Sequence, residues 1–253
     1  MKDGEKKGRL IVNADDWGLD RATTDSIAEC LLHGSVQSAS AMVFMEDSAR
    51  AAQLAIESGF DCGLHLNLTV PFTGGGPSAR LKESQRKVIA YLRRNKWASL
   101  VFHPGLRNEF ESVVRSQIEE FEKLYGRQPN RIDGHHHAHL AANVQLQTLV
   151  PQGTVSRRFF TFGPGESRLS RRIYSSMISA LLHRRHHLTD YLFSIEPLQP
   201  VSRLEKIMAL AQAGTVELET HPARESERDF LLGPEFARLT GGVHLARYVE
   251  VFP

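Results

Sequence analysis

The segment Arg9-Leu10-Ile11-Val12-Asn13-Ala14 is a near-continuous apolar run that stops on Asp15-Asp16-Trp17-Gly18. A run of this kind, without polar alternation, is the mark of a strand buried on both faces, as in a parallel sheet. A parallel neighbour can be reached only through a crossover of about a dozen or more residues, usually a helix. This one stretch therefore commits the chain to repeated strand and helix units. They follow in order: a helix from about Arg21 to His33, with Ile27, Ala28, Leu31 and Leu32 on one face and Gly34 as its stop, and then a strand near Val36 to Phe44. Next come an Ala-rich helix from Asp47 to Ser58 closed by Gly59 and a strand through Phe60 to Leu68.

Further on, Leu81 to about Trp97 and Asn108 to Tyr125 read as helices, a helical excursion over about residues 80–126 that shapes a pocket wall. Between them and the preceding strand, Val70 to Ala79 has loop composition, with Pro71, Gly74-Gly75-Gly76 and Pro77, and is a candidate lid. Strands are expected at Thr154 to Phe162, Tyr191 to Ile195, Thr215 to Thr220 and near Val243 to Val251, and helices at Val144 to Val150 and Val201 to Ala213. About eight strands separated by helices make an α/β fold, a parallel sheet or barrel, and the whole of 1–253 is expected to be one domain.

The composition narrows the function. A formal net charge of +2 over 253 residues supplies no global field for nucleic acid, and no aromatic and basic residues interleave as in nucleic-acid motifs. Cys30 and Cys62 form no metal or redox spacing, which fits a reducing compartment. The charged start Met1 to Lys7 lacks the apolar core of a signal peptide, and no apolar run approaches the ~20 residues that span a bilayer, so a soluble cytoplasmic protein is expected. A homo-oligomer is compatible with all of this. The segment Glu166 to Leu188 is basic at both ends around Ile173, Tyr174, Met177, Ile178, Leu181 and Leu182; it is expected as a helix docked on the barrel by those residues with its arginines solvated, the other reading being a helix on an anionic membrane.

The titratable residues fall at strand ends, where α/β sheets and barrels hold their sites. Asp15 and Asp16 close the first strand. His65 and Asn67 share one face of a strand whose other face carries Leu64, Leu66 and Leu68. Asp133-Gly134-His135-His136-His137-Ala138-His139 sets four imidazoles within five positions, and Glu217-Leu218-Glu219-Thr220-His221-Pro222 alternates before closing on a histidine. A carboxylate with two imidazoles and open positions is the composition of a catalytic metal centre. With no P-loop and no dinucleotide fingerprint, hydrolysis by activated water is the economical chemistry. An Asp and two His suit Zn, Mn, Fe or Co better than Mg by ligand softness. Asp15 and Asp16 can serve one site only if the chain turns there, since successive strand residues face opposite ways; Gly18 makes a turn plausible. Asp133 or Glu217 is placed to orient an imidazole, and Arg157 or Arg158 to keep Asp15 ionised. His136, His137 and His139 cannot all bind one ion, so some face a substrate cleft or the core.

These four stretches, Asn13 to Gly18, Gly63 to Leu68, Asp133 to His139 and Glu217 to Pro222, resemble in order and spacing the motifs of the YdjC-like (ChbG-like) carbohydrate deacetylases, over about Leu10 to Pro222. The resemblance implies a deformed (β/α) barrel, one divalent ion (Mg is also admitted) and removal of acetyl groups from N-acetylated sugars such as chitooligosaccharides. It places the metal ligands on Asp16, His65 and His135 and the general base on Asp15. The leaving amine needs a proton, and His221 is the expected general acid. Trp17 stands where the family usually has Phe, and Ala223 where Gly is common. Other hydrolases remain open: an amidohydrolase or phosphoesterase with His135 and His137 as its metal pair, or a metal- or glycan-binding protein without catalysis.

Overall fold

In the computed structural model, residues 8–162 and 168–252 are described, except for the side chain of Arg171. The chain alternates as expected, through β1 (Arg9–Trp17), α1 (Arg21–His33), β2 (Ser38–Ala41), α2 (Ser48–Ser58) and β3 (Asp61–Leu66). It continues with α3 (Ala79–Leu92), α4 (Arg107–Tyr125), β4 (Arg131–Gly134), α5 (Ala142–Leu146), β5 (Val155–Ser156) and α6 (Leu169–His183). Last come β6 (Tyr191–Ser194), α7 (Val201–Ala211), β7 (Thr215–Thr220), α8 (Glu225–Leu232), α9 (Pro234–Thr240) and α10 (Tyr248–Val251).

The strands form one parallel sheet in the order β5-β4-β3-β2-β1-β7-β6. Its two edges meet irregularly: Ser156 N donates to His187 O at 2.9 Å, and Thr161 N donates to Leu192 O at 2.8 Å. The sheet thus curls into a deformed barrel with a loose seam between β5 and β6. The expected strand from Thr154 to Phe162 is ladder-paired only at Val155 and Ser156. The rest is irregular, and Arg157, two residues beyond Val155, keeps the inward face that Val155 shares with Arg131.

Register separates two environments. Leu10 pairs with Val216, Val12 with Leu218 and Leu64 with Ile132, and all of these pack beneath the helices in the main core. Ile11 pairs with Glu217, Asn13 with Glu219, Ser38 with Asp61 and His65 with Asp133, on the opposite face that lines the barrel. The barrel interior is therefore largely polar, and its charges must satisfy one another. Gly63 shows how tightly: a Cβ there would lie 2.8 Å from Nε and 2.9 Å from Cβ of the buried Arg131.

The last expected strand does not form. Leu245 makes a single bridge to Leu10, and the chain then turns into α10. Tyr248 is buried, its N–H donates to Asp61 Oδ2 at 2.8 Å, and the Arg131 guanidinium lies 4.0 Å over its ring. The amino-terminal mouth of the barrel is closed by this short helix, and among the described residues the sheet has seven strands rather than about eight.

The helical excursion packs on the sheet and also walls the cleft described below, through Leu92, Arg93, Lys96, Trp97 and Leu100. Phe110, Val113, Val114 and Phe121 of α4 belong to the main core, and α4 packs on β3, α2 and α3. The loop expected as a lid is tied down, with Phe72 against Phe44 at 5.0 Å between centroids and Gly74 N donating to Phe44 O at 2.8 Å. On α1, Ile27 and Leu31 are buried but Leu32 faces solvent. Cys30 and Cys62 are buried free thiols. Among the described residues no helix is long and apolar enough to cross a membrane.

Gly63→Ala should press a methyl group into Arg131, at a cost of ~1–3 kcal/mol for an overpacked interior. The expected result is a melting temperature lower by several degrees than that of the wild type, read by thermal denaturation.

Candidate active site

The carboxyl end of β1 bends so that both aspartates reach one place. Asp16 has a left-handed backbone (φ 72°), and the pairing of β1 with β2 slips between Ala14 and Trp17. The bend sits on Asp16 itself, ahead of Gly18. It cancels the alternation that would send successive side chains to opposite faces.

Four buried or partly buried side chains converge beyond this bend. His135 Nδ1 lies 2.8 Å from Asp16 Oδ1, and His65 Nε2 lies 3.4 Å from the same oxygen and 3.8 Å from Asp15 Oδ2. His65 is fixed through its other nitrogen, 2.7 Å from Asp133 Oδ1, which aims Nε2 at the aspartates. Asp133 accepts from Ser40 Oγ at 2.6 Å through its second oxygen. Asp16, His65 and His135 each offer a ligand atom within 4.8 Å of the others, a group able to hold a cation. One carboxylate with two imidazoles, one of them held by a second carboxylate, is a donor set that fits a borderline divalent ion.

Below this group Arg157, 1% exposed, gathers the acids. Its Nη1 and Nη2 donate to Asp15 at 2.6 and 2.7 Å in a fork, its Nε donates to Glu217 at 2.7 Å, and Nη1 also reaches Glu219 at 3.1 Å. Nη2 lies 3.2 Å from Asp133 Oδ2. Burial alone would raise the Asp15 pKa, but Arg157 and then His65 hold it below the ordinary value. Asp16 is likewise held well below, against burial, by His135 and His65. His65 shows the converse: burial disfavours its charge, yet Asp15 and Asp133 push its pKa up to about 10. A pocket that draws a proton onto a buried imidazole has negative charge to spare, and a metal ion would answer the same field. Burial, reinforced by Asp15 and Glu217 against the pull of Arg157, raises Glu219 to about 8.

His221 follows β7, partly exposed, with its N–H donating to Glu227 Oε2 at 2.6 Å. Burial lowers its pKa. Asp15, Glu219 and His221 have ligand atoms within 4.8 Å of one another.

The remaining histidines divide. The run from His135 to Leu140 is a 3-10 turn in which His136 and His137 both have φ 54°. His136 is exposed, and its Nδ1 lies 3.0 Å from Thr69 Oγ1. His137 packs edge-on to Phe160 at 4.6 Å and lies 3.7 Å from Glu219. Both line a cleft of about 920 Å³ with Thr69, Val70, Trp97 and Tyr174. His139 is in the core, fully buried, with Nε2 2.9 Å from the carbonyl of Arg157.

Three sequence expectations change. Asn67 does not reach the cluster; its Oδ1 accepts from the N–H groups of Thr69 and Val70 at 3.2 and 3.0 Å, forming the turn after β3. Glu217 holds a guanidinium rather than an imidazole. Arg158 is directed to the carbonyl of Thr189, away from Asp15. Glu219 and Arg131 were not singled out. Glu219 was legible as the residue sharing Glu217's face one step nearer the strand end, whereas Arg131, which donates to Asn13 Oδ1 at 2.9 Å, looked like any strand-opening arginine.

A parallel barrel with an Asp, His and His able to hold a cation at the carboxyl ends of its strands defines a broad class of proteins that work at that rim. Within it, the chain belongs to the YdjC-like protein family, whose model matches residues 9–241. It is 36% identical to the chitooligosaccharide deacetylase of Proteus mirabilis (strain HI4320) over 132 residues, 52% of this chain and 50% of that protein. It is 31% identical to the carbohydrate deacetylase of Mus musculus over 145 residues, 54% of this chain and 44% of that protein. The matched region thus spans about half the length of these curated relatives. A crystal structure from Enterococcus faecalis V583, described as a candidate cellobiose-phosphate cleavage protein, has the same fold, with a TM-score of 0.68 at 20% identity over 98% of this chain and all of that one.

Two outcomes are expected. A divalent ion at ~100 times its dissociation constant should stabilise the wild type by ~2.7 kcal/mol; His65→Ala and Asp16→Asn should lose the resulting rise in melting temperature. A carboxyl whose folded pKa is raised is stabilising while protonated and loses that contribution as pH rises through the folded value. Glu219 should therefore make the ion-free protein less stable between pH 4.5 and about 8, and Glu219→Gln should flatten that fall in denaturation midpoints measured against pH.

Proposed function

We propose that the chain is a metal-dependent carbohydrate deacetylase, hydrolysing the acetamide of an N-acetylated sugar. The observation that carries this is the convergence of Asp16, His65 and His135 beside an ionised Asp15, with His221 close by. The names of the family's curated relatives, chitooligosaccharide deacetylase and carbohydrate deacetylase, agree with it.

The divalent ion is assigned to Asp16, His65 and His135; when bound it polarises the acetyl carbonyl and lowers the pKa of water. Asp15 takes the proton of the attacking water. A base buried this deeply would otherwise be neutral, and the Arg157 fork keeps it charged. Asp133 holds the tautomer and orientation of His65. Glu219, with a pKa raised to about 8, carries a proton at neutral pH and so spares Asp15 a second negative neighbour. His221 gives a proton to the departing amine, without which the C–N bond does not break readily. Burial keeps His221 neutral at rest, so its proton is best supplied during turnover; Asp15 and Glu219, within 4.8 Å of it, offer the path. The sugar occupies the cleft bordered by Thr69, Val70, His136 and His137.

An amidohydrolase or phosphoesterase reading needs His137 as a ligand. His137 instead packs on Phe160 and belongs to none of the cation-holding groups among the described residues. A binding protein without catalysis would share the geometry but release no acetate.

Incubation with N-acetylglucosamine oligomers and a divalent ion should release acetate from the wild type. Asp15→Asn should keep the ion-induced rise in melting temperature and lose ~10²–10⁴-fold in rate, the usual contribution of a general base. Undiminished acetate release by Asp15→Asn would remove Asp15 from the role of base. An inert wild type on all acetylated sugars would leave only the binding reading.

A further inference from the structure

Helix α6 sits on the barrel the wrong way round for a helix in water. Its buried positions are Ser175, Ser179 and, at its end, Leu182. Tyr174 and Ile178 are half-buried, but four other large apolar residues point outward: Leu169 is 69% exposed, Ile173 53%, Met177 65% and Leu181 48%. The expectation that Ile173, Met177 and Leu181 dock the helix on the barrel is thereby overturned; Glu166, the start of that expected segment, lies outside the described residues. These four follow one another at intervals of four residues. Each such step advances ~40° around an α-helix, so they form one stripe ~120° wide. An exposed apolar stripe of this size on a surface helix needs a partner.

The charge around the stripe identifies the partner. From Arg168 to Thr189 the sequence holds five arginines and three histidines and no aspartate or glutamate. Across the cleft from α6, a second apolar edge is exposed at Trp97, Leu100 and Val101 (60%, 44% and 58%), with the Lys96 ammonium 5.1 Å from the Trp97 ring. Both edges border the same opening: Trp97 and Leu100 line the cleft from one side, Ser170 and Tyr174 of α6 from the other. Trp beside Lys, and aliphatics beside Arg, are the pairs that settle at a bilayer's headgroup boundary.

We infer that α6 and the Trp97–Val101 edge form a docking surface for an anionic lipid bilayer. A second copy of the chain fits less well, because a two-fold contact through the stripe would set each arginine-rich segment against its own duplicate. A nucleic acid would meet the arginines but leave the four aliphatic side chains without an apolar partner. At 15 residues α6 is ~22 Å long, suited to lying in the interface rather than spanning it. Docking through both edges places the mouth of the cleft at the headgroups. The inference stands whether or not the site deacetylates sugars.

Flotation of the purified chain with vesicles tests it. Vesicles of phosphatidylcholine with phosphatidylglycerol should carry the wild type, and pure phosphatidylcholine vesicles much less of it. The double variant Ile173→Glu/Met177→Glu should reduce binding to the anionic vesicles at least tenfold. Both positions are exposed, so its melting temperature and its response to a divalent ion should match the wild type. Equal flotation of wild type and variant, or no flotation of the wild type, overturns the inference. A wild type that is dimeric without lipid, and that the same variant renders monomeric, reassigns the face to a second copy.

Discussion

A single guanidinium lies at the centre of the molecule. Arg157 contacts Asp15, Asp133, Glu217 and Glu219, which come from β1, β4 and β7. Removing one partner from a buried ionic network leaves charge without compensation, at ~3–5 kcal/mol, so these acids could not share a barrel interior without it. Arg157 stands two residues beyond Val155 on the inward face of β5, and its carbonyl, past the end of the ladder, lies 2.9 Å from His139 Nε2.

Arg131 repeats the device one layer lower. It donates to Asn13 and to the carbonyl of Ala39, lies 3.9 Å from Asp133, and stacks on Tyr248 of the plugging helix. Polar residues thus run in layers up the barrel, from Asp61 and Tyr248 at the closed mouth, through Asn13 and Arg131, to the aspartates at the open rim. The apolar core lies outside the sheet, under the helices. Stability and site are separated in space, so the rim can hold surplus negative charge while the outer core supplies the burial that keeps the strands in place. The surplus is visible in His65, pushed to about 10 by Asp15 and Asp133.

Much of this was legible from residues because parallel strands state themselves plainly. The run at Leu10 to Ala14, the helix stops at Gly34, Gly59 and Gly126, and the alternation at Glu217 to His221 each report a local rule, and each element formed. The convergence of Asp16, His65 and His135 could be anticipated from strand ends and family likeness together. What failed was tertiary. Val243 to Val251 has the apolar content of a strand, but the open barrel mouth took Tyr248 as a plug. Asn67 stands on the right face of its strand, yet one residue beyond the ladder its amide serves a turn. Helix α6 has an ordinary amphipathic pattern; nothing in that pattern says which face meets the protein, and the serine face did.

The backbone also records where side chains are delivered against local preference. Among the described residues other than glycine, Asp16, Phe44, His136, His137 and Thr148 have positive φ. Such a conformation costs of order 1 kcal/mol or more and persists only where the surroundings over-determine it. Three of these five border the site: Asp16 in the group with His65 and His135, His136 and His137 on the cleft wall beside it. At Asp16 the bend is held by Leu19 N donating to its carbonyl at 3.0 Å and by His135 on its carboxylate. Regular strand geometry would leave Asp15 and Asp16 on opposite faces. The strain is the means by which one strand end supplies two acids to the same few ångströms.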